Sequence, residues 1–390
     1  MKICKHNIYL YIATISFVLS SSAYVKIASN LLSLCIDAIQ ALVLIYCIFH
    51  MLKKHNIDRF LILVILFYVM LGVSTFIGSK EYTAYIVYAI QGVGAVAFIS
   101  YALQKYPKDT IRILRNILFL FVSMNLILML VKPGGFLGTE EQTYYLLGLR
   151  ISFTPFVLCE LFFALLNDCF ENKKMSVITG VSLIIGVITV WIKNVSTGIV
   201  TILVVMILLK IMGVKKKNIE LYQIYILYSI IYILIVGFNI QYHIPFLSYF
   251  LQDILGKDLT FDNRTTIWLA TISEIIKQPF WGHGISGGGA VIVKFQYRIA
   301  ELSAHTQFLE TLYQGGIIAF TFFICMCSQI GKVTRNALKD KYKNISICFV
   351  TGFLIMMFTE VQMTKALVFL VFATAANLNK IQGNIYNKGV

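Results

Sequence analysis

Residues 60–77 read FLILVILFYVMLGVSTFI, a run without a single charge. A helix needs about 20 apolar residues, within roughly 17–25, to cross the hydrocarbon core of a bilayer. The run therefore reads as a transmembrane helix, and the rest of the chain repeats it. Comparable runs lie at 8–25, 31–50, 83–103, 114–131, 151–168, 175–193, 196–213, 219–240, 306–328, 345–361 and 365–379. About twelve transmembrane helices are expected, so the fold is read as all-α and polytopic, a single integral-membrane domain over 1–390. The two runs meeting around Trp191–Gly198 are close enough for a re-entrant bend as an alternative. The first run follows Lys2 and Lys5 and ends near SSSA, as a signal peptide does. With so many spans behind it and no soluble domain, it is read as the first span.

Composition points the same way. Of 390 residues 58% are hydrophobic and 13% charged, more apolar surface than a soluble domain can hide. Phe and Tyr number 29 and 22, as expected where aromatic rings anchor spans at the bilayer interface. The eight Cys include no CxxC pair, and most stand in apolar runs, where Cys behaves as a small hydrophobe. Neither a disulfide framework nor a zinc site is expected. A formal charge of +15 would suit nucleic acid, but its distribution argues otherwise. With the N-terminus inside and the spans alternating, 22 of the 33 Lys and Arg fall on the inner side. Five of the others lie in one long loop, which the positive-inside rule weighs least. The charge is topological, no nucleic-acid partner is expected, and both termini are placed in the cytoplasm.

Two outer connections are longer than the rest: KPGGFLGTEEQTYYLLGLR at 132–150, and the segment 241–305. The second contains RTTIWLATISEIIKQPFWGHGISGGG, 264–289. If 264–277 is a helix, Arg264 and Trp268 are one turn apart and face one way. Ile267, Ile272, Ile275 and Ile276 then give an apolar face for lying at the interface. Pro279 ends the helix, and Gly282 and Gly284 turn the chain. The stretch GHGISG, 282–287, matches G-x-G-x-x-G, but a dinucleotide fingerprint needs a strand before it and a helix after it. Here a helix and a proline precede. The glycines are read instead as permitting a sharp turn or a close approach to a ligand. His305 ends the segment at the mouth of the tenth span.

Taken in order, R-x-x-x-W at 264–268, PFWGHG at 279–284 and HTQFLETLYQGG at 305–316 resemble the O-antigen polymerase (Wzy) and O-antigen ligase (WaaL) superfamily. GLRISFTPFVLCE, 148–160, is similar to that family's Arg-bearing outer loop and the helix after it. KNVSTGIVTILV, 193–204, is similar to its S-R-G segment, although Ser196–Thr197–Gly198 stands where the family has its Arg. The resemblance covers about 150–330, and the N-terminal third by hydropathy alone. It implies an integral-membrane glycosyltransferase in the cytoplasmic (inner) membrane of a bacterium, with an extracytoplasmic active site. The implied donor is a polyprenyl-diphosphate-linked oligosaccharide, whose units are joined into surface polysaccharide. A chain-length regulator and a flippase are the protein partners such a polymerase implies, with membrane lipids around it.

The chemistry suits the residues carried over. Breaking a sugar–phosphate bond leaves a multiply charged diphosphate near the lipid surface. Arg pairs with phosphate oxygens through a planar fork and never deprotonates, so Arg150 and Arg264 are the implied diphosphate ligands, with Lys193 as a substitute for the missing Arg. A sugar hydroxyl is a poor nucleophile without a base, and His305, an imidazole with an ordinary pKa near 6.5, is the implied general base. Trp268, Gly282, His283 and Gly284 are candidates for lining the site. Plainer readings stand beside these: Arg264 as an interface anchor, Lys193 as a span-end cation that snorkels, His305 as a helix-start residue bonded to nearby backbone, and His283 as part of the glycine turn.

No metal or other cofactor is expected. The first outer loop, YVKIASN, has no carboxylate, and Glu140, Glu141 and Asp262 are scattered, so Arg charges are read as replacing an ion. Asp37, Glu160 and Glu310 lie within spans, where acids are costly and signal either function or pairing inside the bundle. Two other functions fit parts of the pattern. A ligase would use the same residues with a different acceptor, lipid A core or another. A transporter, such as a flippase for lipid-linked oligosaccharides, shares the span number, but transporters bind at the midplane between internal repeats, and the two halves show no repeat.

Overall fold

The computed structural model describes residues 5–381 except 79, 139–142, 215–218, 255, 257, 287–290, 295–298 and 339. Glu140, Glu141 and Gly287 lie outside the described residues, as do Lys2, Lys215, Lys216, Lys217, Lys339 and Lys388. The helices in chain order are α1 (Lys5–Ser20), α2 (Ala23–Ala28), α3 (Asn30–Lys53), α4 (Arg59–Ile77), α5 (Tyr82–Lys105), α6 (Pro107–Val131), α7 (Phe153–Phe170), α8 (Val177–Ile192) and α9 (Ser196–Val214). They continue with α10 (Leu221–Tyr232), α11 (Pro245–Tyr249), α12 (Arg264–Lys277), α13 (Gln307–Arg335), α14 (Asp340–Thr359) and α15 (Ala366–Ala376). Eight of them (α3, α4, α5, α6, α7, α9, α13 and α14) are long and apolar enough to cross a membrane. Four shorter apolar helices (α1, α8, α10 with its π-helical continuation Ile233–Gly237, and α15) occupy the other expected spans. The protein is an all-α polytopic membrane protein.

Polar residues at the ends set the helix boundaries. Asp58 caps α4 by accepting the Leu61 amide at 2.7 Å, and Ser29 and Ser176 cap α3 and α8 the same way. Glu220 and Gln223 form a reciprocal capping box on α10. Pro107 opens α6 at a position where its missing amide costs nothing. The first run is not one helix: Ser21 and Ser22 interrupt it between α1 and α2.

Helices α7, α14 and α15 are buried almost throughout and form the centre, with α4 packed on α13, α6 on α7, α9 on α14 and α3 on α5. Large apolar side chains point outward from the rim, among them Leu31, Leu42 and Phe49 of α3 and Leu203 of α9. An apolar surface around an apolar core fits lipid as the surrounding medium.

The two long connections hold strands that hydropathy did not foretell. In 132–150, β1 (Leu137–Gly138), β2 (Thr143–Tyr145) and β3 (Gly148–Leu149) form a small antiparallel sheet. In 241–305, β4 (Val291–Lys294) pairs antiparallel with β5 (Ile299–Leu302). Both satisfy backbone polar groups where the chain leaves the helices. Helix α12 is present as read, but Ile276 is exposed while Ile267, Trp268 and Thr271 are buried. Its apolar face packs on α13 and β4.

Candidate active site

Arg150 sits in a single turn of 3-10 helix, Arg150–Ser152, between β3 and α7. The β-sheet that aims it is tied down at several points. The Ser22 hydroxyl donates to Leu146 O at 2.7 Å, and Asn125 Oδ1 accepts the Leu147 amide at 3.0 Å. Lys193 makes a third tie: its ammonium donates to Pro133 O at 3.1 Å and to the Tyr145 hydroxyl. The structure thus directs Lys193 at the 132–150 connection, and it is not among the residues lining the cleft described next.

The α8–α9 turn passes through Asn194, whose φ of 47° is left-handed. A Cβ on Gly198 would meet the Thr154 hydroxyl of α7 at 2.3 Å. The glycine therefore lets the first turn of α9 lie against α7, which accounts for Gly198 by packing. A cleft of about 640 Å³, counting space open to solvent, lies over this contact. It is lined by Arg150 and Thr154, by residues 194–198, and by Asp262, Arg264 and Glu360. The N-terminus of α9 borders the same space, a setting that favours anions.

Arg264 begins α12 after an unusual run. Phe261, Asp262 and Asn263 all hold positive φ, 54°, 61° and 67°. Such conformations are costly for side-chain-bearing residues and cluster at functional sites. The Arg264 guanidinium donates to Glu360 Oε1 at 2.7 Å, and the two side chains are only 19% and 17% exposed. One turn along, Trp268 is buried with its ring at 6.1 Å from Phe358 and 5.7 Å from Phe261. Arg264 and Trp268 do face one way, toward the end of α14. Phe261 and Phe358 in turn line a second, apolar cavity of about 1220 Å³ that runs along α9, α10 and α14. The two cavities share Ser196, Thr197, Asp262 and Arg264.

His305 holds a left-handed φ of 51°, and its flanks are pinned. Glu310 accepts the Ala304 amide at 2.7 Å with one carboxylate oxygen and Gln314 Nε2 at 2.6 Å with the other. The Thr306 hydroxyl donates to Met357 O at 3.3 Å, and Gln307 Oε1 accepts the amides of Gln362 and Met363, both at 2.8 Å. These bonds fasten the His305 turn to the segment 357–363 that carries Glu360. Burial pushes the His305 imidazole below its ordinary pKa of 6.5; the nearby Glu360 carboxylate opposes that shift and the Arg264 guanidinium adds to it. Its Nδ1 is buried without a hydrogen-bond partner.

Gly282, His283 and Gly284 have a different surrounding. Helix α13 breaks at Gly316, with φ 62° and ψ −167°. Into the break goes PFWGHG: Tyr313 O accepts the His283 amide at 2.7 Å, Gln314 O the Gly284 amide at 2.9 Å, and Pro279 O the Ile317 amide at 2.8 Å. Gly282 and Gly284 have φ of 72° and 81°, and a Cβ on either would strike backbone, of Gly316 at 2.5 Å and of Thr75 at 2.6 Å. The His283 ring stacks on Tyr313 at 4.6 Å, with Nε2 2.9 Å from Glu274 O. Here the close approach is to the chain itself.

Glu360 is the prominent residue that motif reading passed over. It closes the run 345–361, with no local pattern around it, and only the fold brings it into a bond with Arg264 and within electrostatic reach of His305. Of the intramembrane acids, Glu310 supports the His305 turn, Asp37 accepts Gln91 Nε2 at 3.5 Å, and Glu160 is buried beside Ser182.

Residues 181–324 match the family model Wzy_C, described as O-antigen ligase. The match spans α8 to the middle of α13, takes in Lys193, Arg264, His283 and His305, and stops short of Arg150 and Glu360. No curated protein matches the chain.

Proposed function

We propose that this member of the O-antigen polymerase and ligase superfamily is the polymerase: it joins polyprenyl-diphosphate-linked repeat units into a surface polysaccharide outside the cytoplasmic membrane. The observation that carries the reading is the shared wall at Arg264. A polar cleft holding two guanidinium groups opens beside an apolar groove, and the pair fits an amphiphile with a diphosphate head and a hydrocarbon tail. Arg150 and Arg264, which line one cleft, bind the diphosphate together, and the Ser196–Gly198 turn presents helix amides to it.

The reaction then needs few parts. The acceptor hydroxyl of the next lipid-linked unit loses its proton to His305 as its oxygen attacks the anomeric carbon of the growing chain. The bond from that carbon to the diphosphate breaks, and the electron pair leaves on the polyprenyl diphosphate, held by the arginines. Charge develops on the leaving group where fixed cations already stand, which is the arrangement that lowers such barriers most. In this reading the arginines take the part a divalent ion plays elsewhere, and transfer is metal-independent.

Complementation of a deletion strain tests the proposal. His305→Ala and Arg264→Ala should each abolish the ladder of long chains while the protein stays in the membrane. Single repeat units on the final carrier indicate lost polymerisation. Long chains retained on the lipid carrier would identify a ligase instead, and a normal ladder would contradict both.

A further inference from the structure

The cleft read above as a diphosphate site contains, beside its two guanidinium groups, the carboxylate side chains Glu360 and Asp262. Glu360 is bonded to the guanidinium that a diphosphate would need. It also projects from the segment 357–363, which is fastened to the flanks of His305 through Thr306 and Gln307. A carboxylate bonded to a phosphate-binding Arg and within electrostatic reach of a candidate base can serve either, but not both fully at once.

We propose that Glu360 is a displaceable counter-ion: the donor's diphosphate takes Arg264 from it, and the released carboxylate turns to the His305 imidazole. The inference rests on the polymerase reading of the site and adds a positioning residue to it. Its consequence is order. While Arg264 holds Glu360, the imidazole feels both a cation and a neutralised anion, and stays a weak base. Once the diphosphate has claimed Arg264, the free carboxylate stabilises the imidazolium that forms when the acceptor hydroxyl gives up its proton. The base is thus strongest when a donor is seated, which protects the cleft from premature acceptor chemistry.

The other charged and titratable groups facing His305 leave this role to Glu360. Glu310 of α13 has both oxygens engaged, by the Ala304 amide and Gln314. The Tyr232 hydroxyl of α10 is bonded to Thr306. Arg264 of α12 carries the opposite charge, and among the described residues no other carboxylate acts on the imidazole as Glu360 does.

The test uses the full chain in nanodiscs, with undecaprenyl diphosphate as the probe and wild type, Glu360→Gln, Glu360→Asp and Arg264→Ala compared. Removing the competitor should make Glu360→Gln bind the probe about tenfold more tightly, with Glu360→Asp changed in the same direction by less. The His305 titration midpoint, followed by NMR of labelled imidazole carbons, should be higher in probe-loaded wild type than in loaded Glu360→Gln, by more than the difference between them without probe. Equal or weaker probe binding by both Glu360 variants, or a midpoint difference no larger with probe than without, would overturn the counter-ion role while leaving Arg264-dependent binding intact. Wild type that fails to bind the probe, or binds it as well after Arg264→Ala, would instead remove the diphosphate site on which the inference stands. If Glu360→Gln does not fold, Glu360→Asp carries the same comparison.

Discussion

Arg264 reaches into the cleft from the first turn of α12 while bonded to Glu360, so replacing it by Lys separates geometry from charge. A Lys keeps the cation and loses the planar fork. Arg264→Ala is expected to lower transfer by about 10²–10³-fold, the usual cost of one fixed donor at a developing anion, and Arg264→Lys to recover little of it, as measured by incorporation of labelled repeat units. Lys193→Ala should behave differently, because that ammonium is spent on Pro133 and Tyr145; probe affinity should change far less than in Arg264→Ala. His305 supplies a pH test. Its pKa lies below the ordinary 6.5, so the neutral, basic form persists into mildly acid solution. The profile of kcat/KM should be flat near neutrality and fall on acidification with a midpoint below about 6.5, the free enzyme's value. Removing the Glu360 carboxylate removes an influence that raises the pKa, so Glu360→Gln should move this limb lower still.

Helix α13 and the PFWGHG segment are two halves of one backbone junction. The break at Gly316 frees groups that Pro279, His283 and Gly284 satisfy, and both of these glycines of the segment hold left-handed φ. Gly282→Ala is expected to destabilise the protein by about 1–3 kcal/mol, through positive φ and backbone contact together, seen as earlier thermal unfolding in detergent. Probe affinity of the remaining folded protein should fall much less than in Arg264→Ala. Glycines here were legible as demanding close approach, yet not what they approach: Gly316 for Gly282 and Thr75 for Gly284, both far along the chain. Helices were legible because an apolar run of span length has few alternatives in lipid. The strands at 137–149 and 291–302 were not, since two to four residues carry no period strong enough to read. Helix α12 was found from its Arg, Trp and Pro spacing, but its burial against α13 left Ile276 outside the face that spacing assigned.

At the scale of the molecule, alternating helices bring 132–150, the α8–α9 turn, the start of α12, His305 and Glu360 to one end of the bundle. Arg150 and Arg264 are separated by more than a hundred residues and still line one cleft. The motifs gave Arg150, Arg264 and His305 as separate candidates, each with its plainer reading. Glu360 had no motif, and its place depends on α14 ending beside α12, a tertiary fact. On the reading proposed here chelation by EDTA should leave transfer undiminished, because the arginines carry the charge compensation; a loss restored by adding back a divalent ion would refute that part. The most direct measurement is made on purified protein in liposomes with labelled lipid-linked repeat units, scoring donor binding and chain growth separately. His305→Ala should bind donor like wild type and extend nothing, whereas Arg264→Ala should lose binding and extension together. Chain growth by His305→Ala, or full donor binding by Arg264→Ala, would contradict the account.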